Sequence, residues 1–222
     1  MKYQLRDYQK KASDAAVMYF KMKSGRNGLL VLPTGAGKSL IIADIAARLE
    51  EPLIVFQPNK EILEQNFAKL QTYGIWDCSI YSASVGRKEI SRITFATIGS
   101  VIRHMKDFQH FKNILIDECH LVKPSDGMYK RFFEQAERRI VGLTATPYRL
   151  YSCMNGSMLK FLTRTRPRVF SQVLYYCQVS ELLAKGFLSR LKYYDVTRID
   201  LTKVRRNSSG ADFDDASLSD EF

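Results

Sequence analysis

Gly28-Leu29-Leu30-Val31-Leu32-Pro33-Thr34-Gly35-Ala36-Gly37-Lys38-Ser39 is the stretch on which the fold turns. It opens with an apolar run, Gly28–Leu32, bends through glycine, and leads into a helical pattern over Ser39–Leu49. A strand, a glycine-rich turn and a helix in that order are the context a phosphate-binding loop requires. Gly35 and Gly37 let the backbone curl so that successive N–H groups face phosphate oxygens. The helix beginning near Lys38 adds the positive end of its dipole. Lys38 is placed to reach the β- and γ-phosphates of ATP, and Ser39 to offer its hydroxyl to Mg²⁺. Thr34, Ala36 and Leu40 complete the candidate nucleotide cradle. One position departs from the general pattern: Leu32 stands where glycine is usual.

Around this loop, short β-rich runs alternate with helical patterns, the signature of an α/β fold. The runs are Gly28–Leu32, Leu53–Gln57, Ser79–Tyr81, Ile93–Thr97, Asn113–Asp117 and Ile140–Thr144. Ile54-Val55-Phe56 and Ile114-Leu115-Ile116 are continuously apolar, as strands covered on both faces are. Helical patterns fall at Asp7–Lys23, Ser39–Leu49, Asn59–Thr72, Ile98–Lys106 and Gly127–Arg138. The pattern predicts a doubly wound, mostly parallel sheet. After Pro147 the alternation fades, and Leu150–Ser171, with Gly156, Pro167 and scattered bases, reads as a loop-rich excursion. A short helix, Ser180–Lys185, ends at Gly186, and Leu188–Leu201 reads as extended. Trp76, the single tryptophan, is expected in the core.

A second motif, Asn113-Ile114-Leu115-Ile116-Asp117-Glu118-Cys119-His120, is an apolar strand ending in two acids. A carboxylate at the C-terminal end of a parallel strand faces the crevice where such sheets bind ligands. Asp117 is suited to hold Mg²⁺, and Glu118 to take a proton from an attacking water as general base. Lys38, Asp117 and Glu118 are therefore the candidate catalytic set.

Asp117-Glu118-Cys119-His120 resembles the D-E-x-H box of superfamily 2 helicases, and Thr144-Ala145-Thr146 resembles their third motif. Leu5-Arg6-Asp7-Tyr8-Gln9 is similar to the adenine-reading segment upstream of the loop. Pro58-Asn59-Lys60-Glu61 and Thr97-Ile98-Gly99-Ser100 fall where the family's strand-contacting motifs fall. The resemblance covers Leu5 to Thr146 and implies a RecA-like, three-layer P-loop NTPase domain. It implies that Gln9 reads the adenine edge, its amide donating and accepting at once, with Arg6 on the adenine face. It further implies that His120, Thr144 and Thr146 link nucleotide state to strand grip. Pro58, Asn59, Lys60, Thr97 and Ser100 become candidate nucleic-acid contacts. Asn59 and Thr97 each precede a helical pattern whose N–H groups can meet phosphates, which positions a strand without reading its sequence. Asn59 is equally a good N-cap. Cys119 reads as a small packing residue.

Leu143–Arg149 followed by Gly210-Ala211-Asp212-Phe213 is similar to bacterial and phage DNA repair or restriction-type helicases, which favours DNA over RNA as partner. Such motors use two RecA-like lobes. The implied division is a core over 1–149, an extension of the same domain over 150–204, and a linker over 205–222 toward a second lobe. The isolated lobe is expected to be a monomer.

The 222 residues carry a formal charge of +11, and Asn207 to Phe222 holds five acids and no Lys or Arg. The remainder is thus more basic than the total, and a basic domain favours polyanions because neutralised phosphates release counterions. Lys160, Arg164, Arg166 and Arg168, with Phe161 among them, either line a DNA path or form a solvated basic loop. Cys78, Cys119, Cys153 and Cys177 stand singly, which argues against a zinc site or disulfide framework. No apolar run approaches membrane-spanning length. A reducing, cytoplasmic compartment fits these features.

Overall fold

The computed structural model describes residues 4–22, 25–153, 156–190, 204–205 and 214. In chain order its strands are β1 (Gly28–Val31), β2 (Leu53–Phe56), β3 (Cys78–Ser82), β4 (Arg87–Lys88), β5 (Ile93–Ala96), β6 (Asn113–Ile116), β7 (Arg139–Thr144), β8 (Tyr148–Cys153), β9 (Gly156–Phe161) and β10 (Gln172–Tyr176). Eight of them form one sheet in the order β10-β1-β7-β6-β2-β5-β3-β4, and β8 and β9 pair separately. Every pairing in the large sheet is parallel except that of β3 with the two-residue β4.

Helices cover both faces. On one side lie α1 (Asp7–Lys21), α2 (Lys38–Arg48) and α3 (Lys60–Gln71), packed side by side. On the other lie α4 (Ile98–Val101), a 3₁₀ segment at Ile102–Phe108, and α5 (Met128–Phe133). The apolar runs divide between two cores because successive strand residues point to opposite faces. Leu30, Val55, Leu115 and Val141 join the α1–α3 side, whereas Leu29, Ile54, Phe56, Ile114 and Ile116 join the other. Burying each such side chain contributes about 1.5–3 kcal/mol. Helix α1 shows the matching period, with Tyr8, Ala12, Ala16 and Phe20 buried at every fourth position. Helix α6 (Val179–Ala184) follows β10. Among the described residues no helix is long and apolar enough to cross a membrane.

Several expectations are corrected. Leu150–Ser171 is not a loop-rich excursion: β8 and β9 form an antiparallel hairpin with an unbroken register from Tyr148↔Phe161 to Cys153↔Gly156. The glycine and the scattered bases hid the alternation of a two-stranded ribbon. Strand β10 falls beyond the expected strands and adds in parallel to β1. Ile98–Lys106 is α-helical only to Val101; His104 (φ −134°, ψ 34°) breaks the 3₁₀ segment that continues it. Gly127–Arg138 is helical only over Met128–Phe133, because Arg138 turns back to donate to the carbonyls of Phe108, Phe111 and Phe132. Trp76 is 75% exposed, since Tyr73, Ile75 and Cys78 supply the contacts to the core there. Positions 191–201 of the expected extended stretch lie outside the described residues, as does most of 205–222.

Gly142 sits mid-strand in β7, between β1 and β6. A Cβ there would lie 2.6 Å from Cys119 Sγ and 2.7 Å from Phe170 Cζ. Cys119 is thus a packing residue, fully buried against the sheet. Gly142→Ala is expected to lower unfolding free energy by about 1–3 kcal/mol through overpacking, read as a lower urea midpoint at unchanged slope. An unchanged midpoint would show that Cys119 and Phe170 withdraw at no cost.

Candidate active site

Five strands deliver the motif residues to a single edge of the sheet, because parallel strands all end on the same side. The loop after β1 carries Thr34–Ser39, the residues after β6 are Asp117–His120, and β7 ends at Thr144. Pro58–Lys60 follow β2, and Thr97–Ser100 follow β5. Across the sheet these lie in the order β1, β7, β6, β2, β5. At about 4.8 Å per strand, roughly 19 Å separates the phosphate loop from the Thr97 end.

Gly35 (φ 79°) and Gly37 (φ 77°) hold left-handed conformations that side chains rarely adopt. Gly37 caps α2 with no side-chain bond and no acid in the first turn. Among the described residues, the N–H groups of Gly35, Gly37, Lys38 and Ser39 have no protein acceptor. This is a cradle of donors at the positive end of a helix, and it fits a phosphate group. The departure at Leu32 has a structural cause. Leu32 extends β1, its N–H donating to Thr144 O at 2.9 Å, and its side chain is fully buried in the core. The position continues the pairing of β1 with β7 by one bond and fills the core, so it needs no glycine.

Lys38 Nζ lies 3.0 Å from Glu118 Oε1, joining two motifs eighty positions apart. Glu118 is the sole non-glycine with positive φ among the described residues (φ 46°, ψ 49°), a conformation costing of order 1–3 kcal/mol. The tight bend lets its carboxylate meet Lys38 on one side and His120 on the other, with His120 Nδ1 3.3 Å from Oε2. The His120 contact, with Lys38 behind it, holds the Glu118 carboxyl below the usual carboxylate range. The same Nδ1 lies 2.9 Å from Thr144 Oγ1, which accepts from the Thr146 N–H at 3.0 Å. Glu118, His120, Thr144 and Thr146 therefore form one continuous polar chain.

Asp117 is buried under this chain. Its Oδ1 accepts from the Glu118 N–H at 3.0 Å and its Oδ2 from Asn66 Nδ2 at 3.3 Å. Burial, followed by the charge of Glu118, pushes its carboxyl up to about 6. A buried anion whose bonds do not offset its desolvation is a fitting partner for a divalent cation, with the Ser39 hydroxyl, half-buried at the head of α2, as a second oxygen. Asn66 and Gln57 were not foreseen. Both are 1% exposed, and Gln57 has no side-chain partner among the described residues. A polar residue at a helix position otherwise reserved for core was the available signal for Asn66.

At the base-binding end, Tyr8 Oη and Gln9 Nε2 both donate to Ala36 O at 2.9 Å. Gln9 Oε1 accepts from the Arg6 N–H at 2.9 Å. Gln9 thus clamps α1 to the phosphate loop, and its second N–H and second lone pair are what remain for a base. The Arg6 guanidinium rests 4.2 Å from the centroid of Phe187, so one of its faces is already covered. Phe187, from the turn after α6, carried no sequence signal because its place beside Arg6 is purely tertiary. Gln4, Arg6, Tyr8, Lys185 and Phe187 line a cleft of about 390 Å³.

At the far end the candidate contacts are partly engaged. Asn59 Oδ1 accepts from the Ile62 N–H at 2.9 Å, so the carboxamide caps α3. Lys60 is exposed and Pro58 half-buried. Thr97 Oγ1 bonds Ser82 and Ser100 hydroxyls, and Ser100 Oγ accepts from the Ala83 N–H. Helix α4 spans only four residues, so Thr97 lacks the long helix expected behind it.

A parallel sheet with this loop and acid pair at one edge defines a RecA-like P-loop domain of superfamily 2 helicases. The chain belongs to the family described as "Type III restriction enzyme, res subunit", matched over residues 2–149. It is 30% identical over 151 residues to "DNA 3'-5' translocase XPB2" of Sulfurisphaera tokodaii, covering 67% of this chain and 32% of that one. It is 29% identical over 154 residues to "DNA 3'-5' helicase XPB" of Mycobacterium tuberculosis, covering 65% and 27%. The chain thus spans about a third of these relatives. The SWI2/SNF2 ATPase core of Sulfolobus solfataricus, solved with dsDNA, shares the fold at a TM-score of 0.54 and 22% identity, covering 66% of this chain and 33% of that one.

The raised Asp117 carboxyl carries a stability consequence. Between the unfolded value near 3.8 and the folded value of about 6, the folded chain holds the extra proton. Stability contributed by this group therefore falls as pH rises through that window. In metal-free protein, Asp117→Asn is expected to be more stable than wild type above pH 6, by at most about 3 kcal/mol, with the difference vanishing near pH 4. Denaturation midpoints across that range check it, and a gap independent of pH would refute the assignment.

Proposed function

We propose that this chain is the nucleotide-binding lobe of an ATP-driven motor acting on nucleic acid, DNA in preference to RNA. The observation that carries the reading is the 3.0 Å contact between Lys38 and Glu118 across the phosphate cradle. On nucleotide binding, Lys38 leaves Glu118 for the β- and γ-phosphates, and the freed carboxylate accepts a proton from the attacking water. Its depressed proton affinity keeps Glu118 in the basic form at neutral pH. Ser39 and Asp117 would hold Mg²⁺, which would draw charge from the phosphate oxygens. Gln9 and Arg6 receive the base, and Thr34, Gly35, Ala36, Gly37 and Leu40 shape the cradle.

His120, Thr144 and Thr146 relay the state of Glu118 along the edge toward Pro58–Lys60 and Thr97–Ser100, where backbone N–H groups receive phosphates of the strand. The DNA preference draws on the similarity to an archaeal DNA translocase and a mycobacterial DNA helicase. One relative is a translocase and the other a helicase, so movement along duplex DNA without strand separation is the second reading; a strand-displacement assay separates the two. A second RecA-like lobe supplies cationic groups to the far side of the transferring phosphate, worth on the order of 10³–10⁵ in rate. In this reading the isolated chain is a slow, monomeric ATPase of a reducing, cytoplasmic compartment, a reading that the unpaired Cys78, Cys119 and Cys177 support.

Lys38→Ala is expected to abolish ATP binding with circular dichroism unchanged. Glu118→Gln is expected to bind ATP at least as tightly as wild type, since it releases Lys38. In the full-length protein the same change lowers DNA-stimulated turnover by roughly 10²-fold or more. Calorimetry and a phosphate-release assay read both effects. Undiminished ATP affinity in Lys38→Ala would sink the site assignment, and brisk hydrolysis by Glu118→Gln would remove its role as base.

A further inference from the structure

The β8–β9 hairpin has no part in the chemistry above. It begins after Pro147, at the edge where Thr144 and Thr146 lie, and returns at Leu162, whose N–H donates to Pro147 O at 2.9 Å. Leu162 and Phe170 are buried in the core beneath and anchor its base. Its register places Tyr148, Leu150, Leu159 and Phe161 on one face, and Arg149, Tyr151, Met158 and Lys160 on the other. The first face is apolar, yet Tyr148 is 49% exposed and Leu159 68%. Phe161 holds the Tyr148 ring edge-to-face at 5.2 Å. A groove of about 610 Å³ runs between Tyr148, Leu159, Lys160, Phe161, Thr163 and Arg164.

The charge around this shelf is one-sided. Arg149 lies directly opposite Lys160 in the ladder, and like charges so placed destabilise a ribbon. Between Arg139 and Glu181 the sequence has no acid, while it holds Arg149, Lys160, Arg164, Arg166 and Arg168. Among the described residues none of these five makes an ion pair. Arg149 instead donates to Val122 O at 2.7 Å, tying the hairpin to the segment that follows the acid pair.

An exposed aromatic and aliphatic shelf bordered by uncompensated cations matches a ligand with flat apolar faces on a polyanionic backbone. We propose that the hairpin is a base-stacking site for single-stranded nucleic acid, with bases against Tyr148 and Leu159 and phosphates on Arg164 and on Lys160, which lines the groove while its ammonium lies 4.9 Å from the Tyr151 ring centroid on the ribbon's other face. Stacking of this kind tolerates any base, because every base has a π-face. The inference rests on the motor reading and adds to it a third contact, distinct from the backbone contacts at Pro58–Lys60 and Thr97–Ser100.

The test is fluorescence anisotropy of the 222-residue chain with labelled oligothymidylate and with an abasic sugar-phosphate strand of equal length. Wild type is expected to prefer oligothymidylate. Tyr148→Ala weakens that complex about 5-fold or more and leaves the abasic complex unchanged, whereas Tyr148→Phe keeps wild-type affinity. Leu159→Glu, at a position 68% exposed, also weakens oligothymidylate binding. The double change Lys160→Ala with Arg164→Ala weakens both strands and lowers the salt slope by about 1–2. Wild-type affinity in Tyr148→Ala and Leu159→Glu, with both strands still bound, overturns the hairpin site and leaves the motor reading standing. Failure of the wild-type chain to bind either strand overturns both.

Discussion

Parallel pairing is the constraint from which the rest of the molecule follows. Once β1 lies between β7 and β10, and β2 between β6 and β5, all these strands run the same way and must end on the same edge. Each return path has to cross a face of the sheet, which covers both faces with helices and leaves the strand interiors no contact with water. The continuous apolar runs are therefore required by the topology, and the polar residues that end them are forced together at one rim. Nothing else explains how Lys38 and Glu118 come within ion-pair distance.

That rim is organised by competing electrostatic demands. Lys38 and Glu118 satisfy each other in the absence of a phosphate, and Glu118 accepts a left-handed backbone to reach both Lys38 and His120. Asp117, one residue earlier, is left buried with two hydrogen bonds and a neighbouring negative charge. The arrangement is stable because the protein around it is close-packed: Cys119 presses on Gly142 and fixes the turn from below. A cation and a phosphate entering the rim would relieve both strains together, so ligand binding and the rearrangement of Glu118 are one event in this geometry. His120 touches both Glu118 and Thr144, and this contact is what the proposed coupling from the rim to β7 rests on.

The extension beyond Pro147 does more for the fold than its composition promised. Strand β10 closes the β1 side of the sheet, and the turn after α6 returns Phe187 to Arg6 and Leu188 to the phosphate loop near Gly35. The cleft proposed for the nucleotide is thus bounded by residues from α1 and from the turn after α6. The hairpin between them is held at its base by core contacts and leaves its apolar face uncovered.

The sequence by itself determined the α/β class, six of the strands to within a residue or two at each end, and the phosphate loop and acid pair. Those features are local: a run of apolar residues, a glycine that must be left-handed and an amphipathic helix are each written over a few positions. It also determined Asn59 as a helix cap, since capping is settled within three residues. Only the tertiary structure decided that Trp76 faces solvent and that Gln9 is spent largely on holding Ala36. It alone brought Asn66 to Asp117 and Phe187 to Arg6, and paired the two halves of a hairpin whose bases looked like a loop. In each case the partner lies far away in the chain, and the energy that places it comes from packing and desolvation across the fold, which no short window of sequence contains.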